Sequence, residues 1–156
     1  MELKFTVQTK IQKPLAEVYD AVYNTGKLSQ YFTTGGSSGP LDEGTTVMWS
    51  WHDYPGSYAV DVVKSVPNEL IAFEWKASSG DYNTRTEIAF QELGPNETLV
   101  KITESGWEET EAGLKDSYGN CCGWTEMSCA LKAWLEYGIN LRKGAFEGLL
   151  EKEQSA

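Results

Sequence analysis

Histidine is nearly absent from this chain, which has only His52, and cationic side chains are outnumbered, 13 Lys and Arg against 23 Asp and Glu. One histidine excludes a His-rich metal centre, and no Ser-His-Asp constellation can be read around it. His52 follows Trp51 with the opposite strand parity, so it is expected to point outward rather than act as a catalytic base. The three cysteines, Cys121, Cys122 and Cys129, are odd in number and lack paired C-x-x-C spacing. That excludes a zinc knuckle and a secreted disulfide framework. They are expected as small buried residues or free thiols in a reducing compartment, which makes the cytoplasm the simpler location. No apolar run approaches the roughly 18 residues of a membrane span. Residues 1–7 alternate apolar and polar side chains and lack the continuous apolar stretch of a signal peptide. A net charge of −10 repels phosphate, so neither nucleic acid nor an anionic membrane is expected as a partner. The run Gly35-Gly36-Ser37-Ser38-Gly39-Pro40 does not follow a strand and has no P-loop lysine. A phosphate cradle is therefore excluded, leaving a flexible lid or a plain linker. No metal and no cofactor is expected.

Aromatic residues are plentiful: they make up 12% of the chain and include six tryptophans, which suit cores, pocket walls and interfaces. A chain of 156 residues fits one domain that folds without disulfide or metal. Its core is expected over about residues 2–142, with a tail at 143–156.

The hydrophobic period changes along the chain, and the change carries the fold argument. Leu3, Phe5, Val7, Thr9 and Ile11 alternate as a strand with one buried face. Pro14 suits a helix start, and Val18, Ala21 and Val22 recur at helical spacing up to Gly26. A second short helix is expected over 27–32. From Gly44 to Ser105 the period is two. Val47, Trp49 and Trp51 form one strand face, Tyr58, Val60 and Val62 the next, with a turn expected at Pro55-Gly56. Ile71, Phe73 and Trp75 follow Pro67-Asn68; Thr84, Thr86, Ile88 and Phe90 precede a turn at Gly94-Pro95-Asn96; Val100, Ile102 and Glu104 close the run. Five strands on short turns require an antiparallel meander. Helical spacing returns over about 117–142, with Trp124, Met127, Leu131, Trp134, Gly138 and Leu141 on one face. Sheet and helix must bury their apolar faces against each other. The expected class is α+β: a curved antiparallel sheet of about six strands around a long C-terminal helix, with two short helices after the first strand.

This order resembles the START-like superfamily of helix-grip proteins, and more closely its branch named after the activator of Hsp90 ATPase. The residues that carry the likeness are Pro14-x-x-x-Val18-Tyr19, Trp75, Glu104-Ser105-Gly106-Trp107, Gly123-Trp124-Thr125-Glu126, Leu131 and Leu135-Glu136-Tyr137-Gly138. It spans about residues 2–141. The branch often has a tryptophan-containing segment where this chain reads Tyr31-Phe32. The resemblance implies a helix-grip fold whose members bind hydrophobic or aromatic small molecules between sheet and helix. A minority are cyclases or resistance proteins, and the founding eukaryotic relatives stimulate a chaperone ATPase.

The expected ligand-binding residues are Trp49, Trp51, Tyr58, Phe73, Trp75, Thr86, Glu104, Trp107, Trp124, Met127 and Ser128. Bulky aromatic walls with few polar handles describe a ligand site better than the Leu, Ile and Val of a solid core, though every one of these aromatics would also serve as core. Glu104 has the inward parity of Val100 and Ile102. It is either a buried acid or anchor, or a solvated residue past the strand's end. The expected partner is a small hydrophobic or aromatic molecule, with monomer and homodimer both open. A chaperone partner, or a cyclase- or hydrolase-type reaction using Glu104, are the alternatives. No catalytic constellation is readable.

Overall fold

A computed structural model describes residues 1–149, so part of the expected tail, 150–156, lies outside the described residues. The order is β1 (Lys4–Ile11), α1 (Leu15–Tyr23), α2 (Thr25–Tyr31), β2 (Gly36–Ser37), β3 (Thr46–Trp51), β4 (Tyr54–Val66), β5 (Leu70–Lys76), β6 (Asn83–Gly94), β7 (Glu97–Ser105) and α3 (Glu111–Tyr137). The fold is α+β, with one antiparallel sheet in the order β1-β7-β6-β5-β4-β3-β2. Seven strands replace the expected six. The additional strand is β2, which lies in the Gly/Ser run read as lid or linker. Gly36 pairs with Ser50 and Ser37 with Trp49. The run is therefore a sheet edge: Gly35 N donates to Ser50 O at 2.9 Å, and a side chain on Gly35 would meet the Ser50 backbone at 2.9 Å.

Two further expectations are corrected. The β3–β4 turn is His52-Asp53, because Trp51 pairs with Tyr54, while Ser50 pairs with Ser57. Pro55 and Gly56 oppose no residue of β3 and form a bulge, where a missing N–H and the Gly56 φ of +95° are both accommodated. Helix α3 starts six residues earlier than expected, at Glu111, where the Thr110 hydroxyl accepts from Gly113 N at 3.0 Å. It stops at Tyr137 because Gly138 adopts the left-handed conformation. Gly138 and Leu141 are thus not on the helix face, and Leu141 is exposed. At 27 residues, α3 is about 40 Å long, enough to cross the sheet. Likewise Gly26 lies inside the first turn of α2, whose N-terminus is capped by the Asn24 side chain.

The inward sheet positions, the buried side of α3 and the two short helices make one core that includes Ile11, Val18, Leu28, Trp49, Phe73, Ile102 and Leu131. Beyond α3 the chain turns back over the sheet's β3–β4 end. Asn140 Nδ2 donates to Gln30 O at 3.1 Å, and the Arg142 guanidinium grips Asp53 with two bonds of 2.9 and 2.7 Å. His52 is half-exposed, as its parity predicted. Its Nδ1 lies 2.6 Å from Thr34 Oγ1 and its Nε2 2.7 Å from Glu147 Oε1. Among the described residues no helix is long and apolar enough to cross a membrane.

Candidate functional site

Strand pairing sets Thr86 between Phe73 and Glu104, and Thr84 beside Trp75. All of these point inward, so a carboxylate is carried into the aromatic interior. Glu104 is fully buried; of the two readings left open by its position, the inward one holds. Its Oε2 accepts from Thr84 Oγ1 at 2.7 Å, Trp75 Nε1 at 3.0 Å and Asn120 Nδ2 at 3.0 Å. Its Oε1 accepts from Trp124 Nε1 at 2.8 Å and Asn120 Nδ2 at 3.1 Å. Every partner is a donor, which suits an ionised carboxylate held without a cation. Both oxygens are occupied, so Glu104 is an anchor that fixes two indoles and an amide.

Those indoles belong to an aromatic cluster. Phe32 meets Trp49, Trp51 and Trp124 at ring-centroid distances of 5.4–5.5 Å, and Trp75 meets Trp49, Phe73 and Trp124 at 5.5–5.9 Å. All six pairs are edge-on or tilted, as ring quadrupoles favour. Trp49, Phe73, Thr86, Met127 and Ser128 sit within this packed interior. The Ser128 hydroxyl is used internally, donating to Trp124 O at 2.9 Å. Trp107 is separate: it stacks on Phe5 at 5.5 Å, at the β1 side of the sheet.

Open space lies at the opposite end, where β4 runs on beyond the last residue of β5. One cavity of about 390 Å³ is lined by Trp51, Tyr54, Tyr58, Trp75, the 76–80 loop and Asn120. A second, of about 140 Å³, adjoins it and shares Trp51, Trp75 and Asn120; Phe32, Gly119, Gly123, Trp124 and Arg142 complete its wall. Trp51, Tyr58, Trp75 and Trp124 of the expected residues are thus brought together here, with Glu104 directly behind. Asp116, in the second turn of α3, pins the loop by accepting from Ser79 N at 2.7 Å. Burial, reinforced by Tyr54, pushes the Tyr58 phenol up to about 12, so it stays a neutral hydroxyl, donating to Pro55 O at 2.9 Å.

Reading the sequence missed Phe32, Tyr54, Asn120 and the two helical glycines. Asn120 lies one turn before Trp124, so extending the apolar stripe backwards finds it. Phe32 falls in the segment where the family resemblance departs. Gly119 and Gly123 are exposed on α3, and a Cβ on either would meet nothing within 4 Å. Each nonetheless costs the helix about 1 kcal/mol relative to alanine.

A separate apolar groove of about 190 Å³ runs between the end of α2, the middle of α3 and the returning segment, lined among others by Phe32, Cys129, Arg142 and Phe146. Burial there holds the Glu126 carboxyl above its ordinary range, with Arg142 opposing the shift. Cys122 and Cys129 are exposed and Cys121 is partly so. They are free thiols rather than the buried residues also envisaged.

The model of the family described as "Activator of Hsp90 ATPase homolog 1-like protein" matches residues 12–136. No curated protein matches in sequence. Among solved structures, the protein SSP2350 from Staphylococcus saprophyticus superposes with a TM-score of 0.75 at 24% identity, over 89% of this chain and 96% of that one. The Aha1 dimer from Colwellia psychrerythraea gives 0.71 at 21%, over 88% and 98%. PFC0360w, an HSP90 activator from Plasmodium falciparum, gives 0.67 at 15%, over 86% and 96%. At these identities the three share the fold.

Proposed function

The chain belongs to the activator of Hsp90 ATPase homolog 1-like family, and on that premise we propose that it binds a small hydrophobic or aromatic molecule in the paired cavities beside Trp51 and Trp75. The observation that carries this reading is the Glu104 anchor. A buried charge is expensive, and this one holds Trp75, Trp124 and Asn120, all of which line the cavities. A wall of aromatic faces with one fixed amide orients a ligand at little cost in side-chain entropy. Both oxygens of Glu104 are occupied by donors, so binding ranks above a turnover that uses this residue as acid or base. The uncharged fluorophore N-phenyl-1-naphthylamine tests the site. Its emission should rise on titration, and Trp75→Ala should weaken binding at least tenfold. A flat titration with the wild-type protein would refute the reading.

A second reading is stimulation of a chaperone ATPase, with the protein acting as monomer or homodimer. It is favoured by family membership and by the described activity of the Plasmodium relative. An acidic chain of net charge −10 would meet a basic partner surface in a salt-sensitive way. The expected result is an increased turnover of an Hsp90-type ATPase that fades as salt rises; unchanged turnover at low salt removes this reading.

A further inference from the structure

Gly119 and Gly123 lie one turn apart on the exposed side of α3, where their own fold has ample room for a side chain. Packing therefore does not explain them, and helix propensity argues against them. What they do is line the cavity of about 140 Å³, facing Phe32, Trp51 and Trp75 across it. Bare helix backbone forms one wall and aromatic faces form the other. A cavity of about 150 Å³ is the size that takes up a benzene ring. Asn120, between the two glycines, supplies polarity. Its Nδ2 is spent on both oxygens of Glu104 at 3.1 and 3.0 Å. Only the amide nitrogen can face a carboxylate, so Oδ1 is turned away from it as an acceptor.

We infer that Gly119 and Gly123 are specificity-determining residues: they keep open a slot that takes one flat ring of the ligand, with a hydroxyl on that ring donating to Asn120 Oδ1. The remainder of the ligand occupies the larger cavity under Tyr54 and Tyr58. This rests on the ligand-binding reading above and narrows it to hydroxylated aromatic compounds. A methyl group at either glycine projects into the slot and competes with the ring, while it favours the helix. The two glycines thus trade stability for binding.

The test is calorimetric titration of 2-naphthol and of 2-methoxynaphthalene, which lacks the donor, into the wild-type protein and Gly119→Ala, Gly123→Ala and Cys122→Ala. Cys122 lies between the glycines in sequence but lines neither cavity. Wild type should prefer 2-naphthol over the methoxy compound about tenfold, the value of one hydrogen bond. Each glycine variant should bind 2-naphthol about tenfold more weakly and melt about 3 °C higher. Cys122→Ala should bind as wild type does. Equal binding by the glycine variants, a lower melting point in them, or no preference between the two naphthalenes overturns the inference. If the wild type takes up N-phenyl-1-naphthylamine but not 2-naphthol, the slot is wrong and the site stands. If it takes up neither, both fall.

Discussion

Replacing Glu104 by glutamine should destabilise the protein by about 3 kcal/mol, seen as a lower urea midpoint at unchanged slope. The carboxylate receives five hydrogen bonds and gives none. An amide in its place has one acceptor oxygen, and its NH2 group must face donors. In the better orientation the oxygen stays with Trp124 and the NH2 donates to the Thr84 hydroxyl, which can turn to accept. The Trp75 indole N–H is then left buried without a partner. One orphaned donor costs about 1–3 kcal/mol, and the surviving bonds lose their charge assistance. Relief of the desolvated charge offsets part of this. The loss should also reach the cavities, because a released Trp75 no longer presents a fixed face to a ligand. An unchanged midpoint in Glu104→Gln would show that the network contributes nothing net. The substitution is accordingly unsuited to testing Glu104 as an acid or base, since it disturbs the fold first.

Most of the fold was legible because alternation and helical spacing are local signals. Val47, Trp49 and Trp51, or Ile88 and Phe90, declare a buried face without reference to anything distant. The errors fall where local chemistry has two outcomes. Pro55-Gly56 reads equally as turn or bulge, and what decides is the pairing of Trp51 with Tyr54, a cross-strand fact. Gly36 and Ser37 lack strand propensity, and only pairing with β3 makes them a strand. The site was half legible. Parity placed Glu104 inward, but whether it was solvated depended on donors from β5, β6 and α3, which converge only in space. Trp49 and Phe73 look like cavity walls in sequence, yet neighbouring rings fill the space around them, so the opening lies further along at Trp51, Tyr58 and Trp75. Gly119 gave no signal, and Gly123 entered only through the family resemblance, because an absent side chain has no periodicity.

The Asp53–Arg142 pair should respond asymmetrically to removal of its two partners. The Asp53 side chain is 0% exposed and that of Arg142 is 15% exposed, and the guanidinium binds both carboxylate oxygens. Arg142→Ala leaves a buried carboxylate without a cation, which costs about 3–5 kcal/mol where the surroundings stay closed. Here Asp53 lies in the β3–β4 turn, and the chain after α3 can lift away to admit water. The expected loss is therefore toward the lower end, about 3 kcal/mol. Asp53→Ala should cost less. The guanidinium it releases is already reached by solvent and keeps its position over the Phe146 ring, 4.9 Å away. Arg142→Lys should restore little, because a single ammonium cannot reproduce the two-pronged contact. Denaturant midpoints of the three variants measure the order directly; equal losses from Arg142→Ala and Asp53→Ala would show that burial of the carboxylate is not what makes the pair matter. The pair also ties stability to the site. Arg142 lines both the ring-sized cavity and the groove under the returning segment, so its removal should open the cavity on that side. Ligand dissociation should then become faster in Arg142→Ala, with the Glu104 anchor and the aromatic wall left in place.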